Sequence, residues 1–243
     1  MALFTDGIIA AVDDLAGHDS AVLTVASTEG IDITKKLNLA MDELAVELGS
    51  VLPTSEELSR VAVTPAVHMW HAFRTLELVY RDAYSNQLND RYAGKRDQFA
   101  ALGRWAFGKL IDGGIGMVNN PVPRAMAPEL TFLAGQQAPA TYYVCTSWVN
   151  AQDEEGAAGD WGALSVPDGN VLSVRATNPV PYAAGWNVFI GLSPDSITQQ
   201  NEARLLPGQP WLQQTAVSTT GRAPGNGQTT DYVRLVARIL QRG

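Results

Sequence analysis

Through residue 120 the apolar positions recur at intervals of three and four; beyond it they fall into short alternating runs. In the first part Thr5 and Asp6 are placed to cap a short helix over residues 7–15 ending at Gly17, and residues 20–27 form a second short segment. The run ITKKLNLAMDELAVELGSVL has Ile33, Leu37, Leu39, Met41, Leu44, Val46 and Leu48 giving a broad apolar face, with Gly49 and Pro53 as its stop. Thr54 or Ser55 can cap EELSR, with Glu56 or Glu57 as the reciprocal acid. Thr64-Pro65 is the clearest helix start, a capping hydroxyl followed by a proline pre-set for the first turn. From there Trp70, Phe73, Leu76, Tyr80 and Tyr84 line one side and Glu77 pairs with Arg81 on the solvated side. A second long helix is expected over residues 87–112, with Leu88, Tyr92, Phe99, Leu102, Leu110 and either Trp105 or Ala106 inward, ended by Gly113-Gly114.

The second part offers LTFLA, TYYVCTSWVN, GALSV, NVLSVRA, GWNVFIG, SITQQ and DYVRLVARI as strands, separated by turn signals such as PDGN and SPDS. In GWNVFIG, Trp186, Val188 and Ile190 point one way and Asn187 and Phe189 the other, and the tryptophan face is expected to be the core. Two prolines in residues 1–120 against eleven in the rest place the joint at NNPVPRAMAP. The fold class expected is α+β: a helical bundle over residues 1–118, a Pro-rich linker over 119–128, and an antiparallel β-sandwich over 129–243.

The net charge of -8 is uneven: nine acids against Lys35 and Lys36 in residues 1–50, eight bases against seven acids in 51–120, and seven arginines against nine acids thereafter. Without a basic stripe, binding of nucleic acid through its phosphates is not expected. The start MALFTDGIIAAV lacks the charged opening and cleavage site of a secretory signal, so the chain is expected to be made in a cytoplasm. A single cysteine, Cys145, allows neither an internal disulfide nor a Cys-rich zinc site, and within YYVCTSW it reads as a buried, inert thiol. His68 and His71 lie three apart on a helix but have no acid at ligand spacing, so packing is expected before metal; His18 reads as a turn residue. DEEG at 153–156 reads as a hairpin tip with too few spaced oxygens for calcium, and GRAPGNGQ at 221–228 as a surface loop without a phosphate-loop lysine. No cofactor, metal site or catalytic constellation is expected.

Two stretches carry a resemblance. ATYYVCTSWVNAQDEEGAAG and GWNVFIGLSPDSIT resemble strands of fibronectin type III (Ig-like) domains of the kind attached to phage virion proteins, with the late-strand pattern preceding the early one. ASTEGIDITKKLNLAMDELAVEL and TPAVHMWHAFRTLELVYRDAYSNQLNDRYAGKRDQF resemble phage and prophage head-tail adaptor proteins. The resemblance implies a structural, non-enzymatic virion neck protein forming a ring, usually twelvefold. Its implied partners are itself, the portal protein, a tail or tail-completion protein, and genomic DNA that passes through the lumen without specific binding. No membrane is implied.

An acidic channel wall would let DNA slide past, which gives residues 1–50 a role. Trp70, Phe73, Tyr80, Tyr84, Trp105, Tyr143 and Trp186 are the expected core or interface residues. The end TTDYVRLVARILQRG reads as the closing strand of the sandwich or as an arm adding to a neighbouring subunit, with Arg234, Arg238 and Arg242 as inter-subunit contacts. The competing expectation is a carbohydrate- or protein-binding module, in which Trp161 and Trp211 beside turns would meet a ligand.

Overall fold

A computed structural model describes all residues except 8, 53–54, 88–89, 226 and 235–243. It is mixed α+β: helices in the N-terminal part, antiparallel sheets in the C-terminal part. The chain divides into two compact units, each assembled from two pieces. The helical unit comprises residues 7–117 together with 231–234; the sheet unit comprises Met1–Asp6 and Val118–Thr230.

In the helical unit, α1 (Val12–His18), α2 (Val22–Glu29), α3 (Ile33–Val51), α4 (Pro65–Gln87) and α5 (Ala93–Gly113) follow one another, with a 3-10 segment at Ser55–Arg60 and another at Asp90–Tyr92. The carboxylate of Asp14 accepts from the Ala11 amide at 2.7 Å, Asp32 caps α3 by accepting from the Lys35 amide at 3.2 Å, and Thr64 Oγ1 accepts from the Val67 amide at 3.4 Å. Gly49 lies inside α3, which runs on to Val51. The first helix begins five residues later than the sequence suggests, because Asp6 belongs to the sheet unit, where it accepts from the Leu3 and Arg124 amides.

Helix α4 is not one-sided. His71, Ala72, Phe73, Thr75, Leu76, Leu78, Val79 and Tyr80 are all buried, because α1, α2, α3 and α5 each pack against it. Its uncovered stripe carries Arg74 and Glu77, and the ion pair there is Arg74 to Glu77 at 2.6 Å instead of Glu77 to Arg81. Aromatic rings link the central helix to α5: Trp70 to Phe107 at 4.7 Å, Tyr80 to Phe99 at 5.8 Å and Phe73 to Phe99 at 6.4 Å.

The last described strand corrects one expectation. Asp231–Val233 (β9) does not close the C-terminal sheets; it pairs antiparallel with Ile115–Met117 (β1), directly after α5. The apolar Ile115 and Met117 are buried and follow a helix end, so β9 supplies the backbone partners their strand needs. Gly114, at φ 98, permits the close approach: a side chain there would meet the Val233 carbonyl at 3.1 Å.

In the sheet unit, Glu129–Gln137 (β2), Ala140–Val149 (β3), Gly162–Val166 (β4), Asn170–Arg175 (β5), Gly185–Gly191 (β6), Thr198–Gln199 (β7) and Trp211–Leu212 (β8) form two antiparallel sheets ordered β2-β5-β8 and β4-β3-β6-β7. Both contribute to one core: Val144 and Trp148 from β3, Leu172 and Val174 from β5, and Trp186, Val188 and Ile190 from β6. The Trp186 face is thus the main core face. Phe189 on the reverse is covered too, in a small cluster with Cys145 and Ile197, so β6 is buried on both sides.

The stretch read as a linker is part of this unit. Val122 and Ala125 are core residues, and Gln228 ties the segment down by accepting from the Val122 amide at 2.6 Å through its side chain. The proline-rich composition marks an extended, non-sheet path over the core, not a free joint. Gln228 also takes the Met1 ammonium on its own carbonyl at 2.6 Å, which holds residues 1–6 in the sheet unit.

Candidate functional site

The uncovered stripe of α4 floors a groove of about 470 Å³ between α3, α4 and α5. Leu44, Trp70 and Phe107 make an apolar base; Ala100 and Gly103 keep the α5 wall low. Val46 stands at the edge with 73% of its surface exposed. The rim is charged. Arg74 is held between Glu43, at 2.5 Å, and Glu77, at 2.6 Å, and its guanidinium is driven above its ordinary range mainly by the Glu43 hydrogen bond. Glu47, one turn on from Glu43, is exposed at the opposite lip from Arg104. Nothing here forms a nucleophile and base pair; the groove can seat an apolar side chain and hold a cation beside it.

The helical unit also holds two polar pins. His71, fully buried, accepts from the Ala10 amide at Nδ1 (3.2 Å), which leaves Nε2 to donate to the Leu37 carbonyl at 3.0 Å; both ring nitrogens are spent in the neutral form. Burial lowers its pKa. His68 instead faces Asp14 at 3.3 Å, so the two histidines do not converge. Asp19 is nearly buried and accepts from Tyr80 Oη (2.7 Å), Lys95 Nζ (3.1 Å) and the Ala21 amide (3.1 Å), fastening the α1–α2 turn to α4 and α5. His18 closes α1 with its ring 4.8 Å from Phe73, a packing position more than a turn position.

In the sheet unit the DEEG acids each have an internal partner. Asp153 takes Arg204, Glu154 takes Asn150 at 2.7 Å and Gln228 at 3.1 Å, and Glu155 takes Ser147 and Arg222. Three consecutive acids are there to tie loops together, and Gly156 packs so closely that a side chain would stand 2.6 Å from the Val122 carbonyl. Among the described residues no group of three or more His, Cys, Asp or Glu is placed to hold a metal ion. The Cys145 thiol is buried, and burial followed by the nearby Glu155 charge pushes its pKa up to about 11, the environment of an inert thiol.

Of the residues singled out from the sequence, Trp70, Phe73, Tyr80 and Trp186 are core. Trp105 is 49% exposed while its neighbour Ala106 takes the buried position. Tyr84 is half-buried beneath the Arg96 guanidinium at 4.7 Å. Tyr143 lies on the secondary face of β3 against Trp161 at 5.2 Å, and it is Tyr142 that enters the core. Trp211 packs against the core and lines a polar depression with Gln209 and Gln214. Arg234 is exposed beyond β9; Arg238 and Arg242 lie outside the described residues. The sequence reading missed Glu43, Glu47, Arg74, Gly103 and Phe107. The Glu43-Glu47 spacing of four, with Val46 between, was the available signal.

A second surface stands out on the sheet unit. Among the described residues β2 pairs with β5 alone and is an edge strand, and Phe132 and Leu133 are 45% and 51% exposed on its two faces. No described helix is long and apolar enough to cross a membrane. Compared with known proteins, the chain matches no family model, no curated protein and no solved structure.

Proposed function

We propose that the protein is a structural component of a tailed phage or phage-derived particle, a head-to-tail adaptor that forms a ring in the virion neck between portal and tail. The single observation that carries the reading is the β2 edge. Its nine residues, ELTFLAGQQ, contain no lysine or proline, and Phe132 and Leu133 are exposed. Edges left open in monomers are normally blunted by such residues or by bulges; the irregularity of β2 at Ala134–Gln137 comes after Phe132 and Leu133, so its regular first half has the character of a strand that is covered in the working assembly. A ring repeats one head-to-tail contact, and an uncovered edge provides one half of it. The likeness of residues 26–48 and 64–99 to adaptor helices gives the particle context, and the two sheets sharing a core are read as a fibronectin III-like sandwich.

Of the nine acids in residues 1–50, Asp14, Asp19, Glu29, Asp32 and Glu43 each accept a contact within the helical unit, so much of this charge also serves the fold. DNA passage rests on the ring in this proposal.

Mass photometry and electron microscopy of the purified chain, with and without portal protein, test the reading. Closed rings are expected, and Leu133→Lys is expected to leave a folded monomer. A wild-type chain that stays monomeric at micromolar concentration with and without portal would sink the proposal. The second reading, a carbohydrate-binding module, draws on the depression beside Trp211. Against it, Gln200 in the same wall already bonds the Thr198 and Ser218 carbonyls. Glycan binding by a persistent monomer would favour this second reading.

A further inference from the structure

We infer that the depression beside β8 is the seat for the β2 edge of a second copy of this chain, and so the other half of the contact that builds the ring. The inference rests on the ring reading and names the surface that its open edge meets. The sheet order β2-β5-β8 puts β2 and β8 at opposite edges of one sheet, and both pair antiparallel with β5, so they run in the same direction. A rotation that keeps strand direction lays β2 of one copy beside β8 of the next as a parallel pair. Repeating it makes a head-to-tail contact.

The backbone at both edges suits this pairing. The Gln213 amide donates to the Leu172 carbonyl at 2.9 Å, so Leu172 and Val174 turn their peptide groups toward β8, and by antiparallel alternation Val171 and Ser173 turn theirs toward β2. Leu130 and Phe132, opposite Val174 and Leu172, are left with amides and carbonyls directed out of the sheet; Leu212, opposite Ser173, is left so at the far edge. The side chains agree. Phe132 lies opposite the core residue Leu172, hence on the core-facing side of β2, and yet is exposed. A strand added to β8 points such side chains into the space between the two sheets. The depression lies there, about 500 Å³ in volume, with Trp211 and Leu212 of β8 on one side, Gln200 and Asn201 after β7 on the other, and Leu205 between. The remaining edges are worse placed. The Gln199 amide of β7 donates to the Arg222 carbonyl at 2.9 Å, and β4 shares the flank of β2, where a side chain at Gly162 would stand 3.2 Å from Leu130.

The test is cross-linking between full-length chains. Thr131→Cys and Leu212→Cys, both at exposed positions on the outer face, are carried on chains with tags of different length, co-expressed and treated with a short bis-maleimide. Cys145 is buried with a raised pKa, so the introduced thiols dominate labelling under native conditions. The expected product joins one chain of each kind, with neither variant cross-linked when expressed alone. Adding Ala216→Trp, which fills the depression from an exposed position, is expected to lower the yield about tenfold, the weight of one interface hot spot. A link within either variant alone would show like edges paired and overturn the inference, as would an unchanged yield in Ala216→Trp. Mass photometry of the same samples separates the inference from the reading under it. Rings that lack the mixed link overturn the inference alone, whereas chains that stay single with and without portal protein overturn both.

Discussion

Asp19 is the most exposing point at which to test the helical unit. Only 7% of the residue is accessible, and its carboxylate is the shared acceptor for Tyr80 at 2.7 Å, Lys95 at 3.1 Å and the Ala21 amide at 3.1 Å. Asp19→Ala strands the buried Tyr80 hydroxyl, at a cost of ~1–3 kcal/mol, and removes charged hydrogen bonds worth about 1.5–3 kcal/mol each in the favourable case. The Lys95 side chain is 45% exposed and recovers water, so its share is small. The net expectation is a loss of ~2–4 kcal/mol. Tyr80→Phe leaves two donors on Asp19 and should cost about 1 kcal/mol.

The chain has two units, so a single melting midpoint would mix them. Hydrogen exchange of α4 amides, followed by mass spectrometry, reads the opening free energy of the helical unit alone. Burial by itself would raise the Asp19 carboxyl, but the Tyr80 hydroxyl, the Ala21 amide and the Lys95 ammonium together hold its pKa below the ordinary 3.8. Its contribution is accordingly complete above pH 3.8 and disappears as pH falls through the lower folded value. Asp19→Asn should remove that part of the acid sensitivity. An α4 opening energy changed by less than ~0.5 kcal/mol in Asp19→Ala would refute the shared-acceptor account.

Three further outcomes are expected. Trp70→Ala, at 6% exposure, should cost about 3–5 kcal/mol by the same exchange measurement, while Trp105→Ala, at 49%, should stay within ~1 kcal/mol; equal costs would mean the α5 register is misassigned. Thr146 Oγ1 is buried without a hydrogen-bond partner, so Thr146→Val should be neutral or stabilising by about 1 kcal/mol in exchange protection of β3, and a loss above that would reveal a hidden partner. His71 has a folded pKa lowered by burial, with the Leu37 hydrogen bond opposing and His68 reinforcing; stability is therefore full above about pH 6.5 and falls below it. An NMR titration should find the midpoint of this imidazole below the ordinary 6.5, and an unshifted midpoint would contradict the buried geometry in which one ring nitrogen accepts and the other donates.

The helices and most strands were readable because their signals are local. Thr64-Pro65 fixes the start of α4 by capping and a preset φ, and the alternation in GWNVFIG fixes which side chains share a face. Local signals failed where a distant segment decides burial. Val46 belongs to an apolar pattern on α3 yet is exposed, because the groove leaves that flank of α3 uncovered; α4 has polar positions at intervals and yet is central, because four helices converge on it. The two-residue strand Trp211–Leu212 and the three-residue strand Ile115–Met117 are too short to show a period. The candidate groove was missed for a related reason: its walls come from three helices, and only the Glu43-Glu47 spacing lies within one of them.

The chain ends show most clearly what composition can and cannot specify. The change of sequence grammar at residue 120 lies close to the step from Met117 to Val118, where one unit gives way to the other along the chain. Composition cannot report that residues 1–6 are held in the sheet unit by Gln228 and the Arg124 amide, or that β9 is claimed by the strand that ends the helical unit. Neither unit is a continuous segment, so the sheet unit closes only with residues 1–6 in place and the helical unit only with β9. Loop closure over more than a hundred residues is then a condition of finishing both folds, with an entropic cost that grows only logarithmically with length. That cost is small beside the burial of Ile115, Met117 and Val122 that the ends secure. Closing each unit with its distant segment is therefore thermodynamically cheap and, as a contact between residues far apart in sequence, kinetically late.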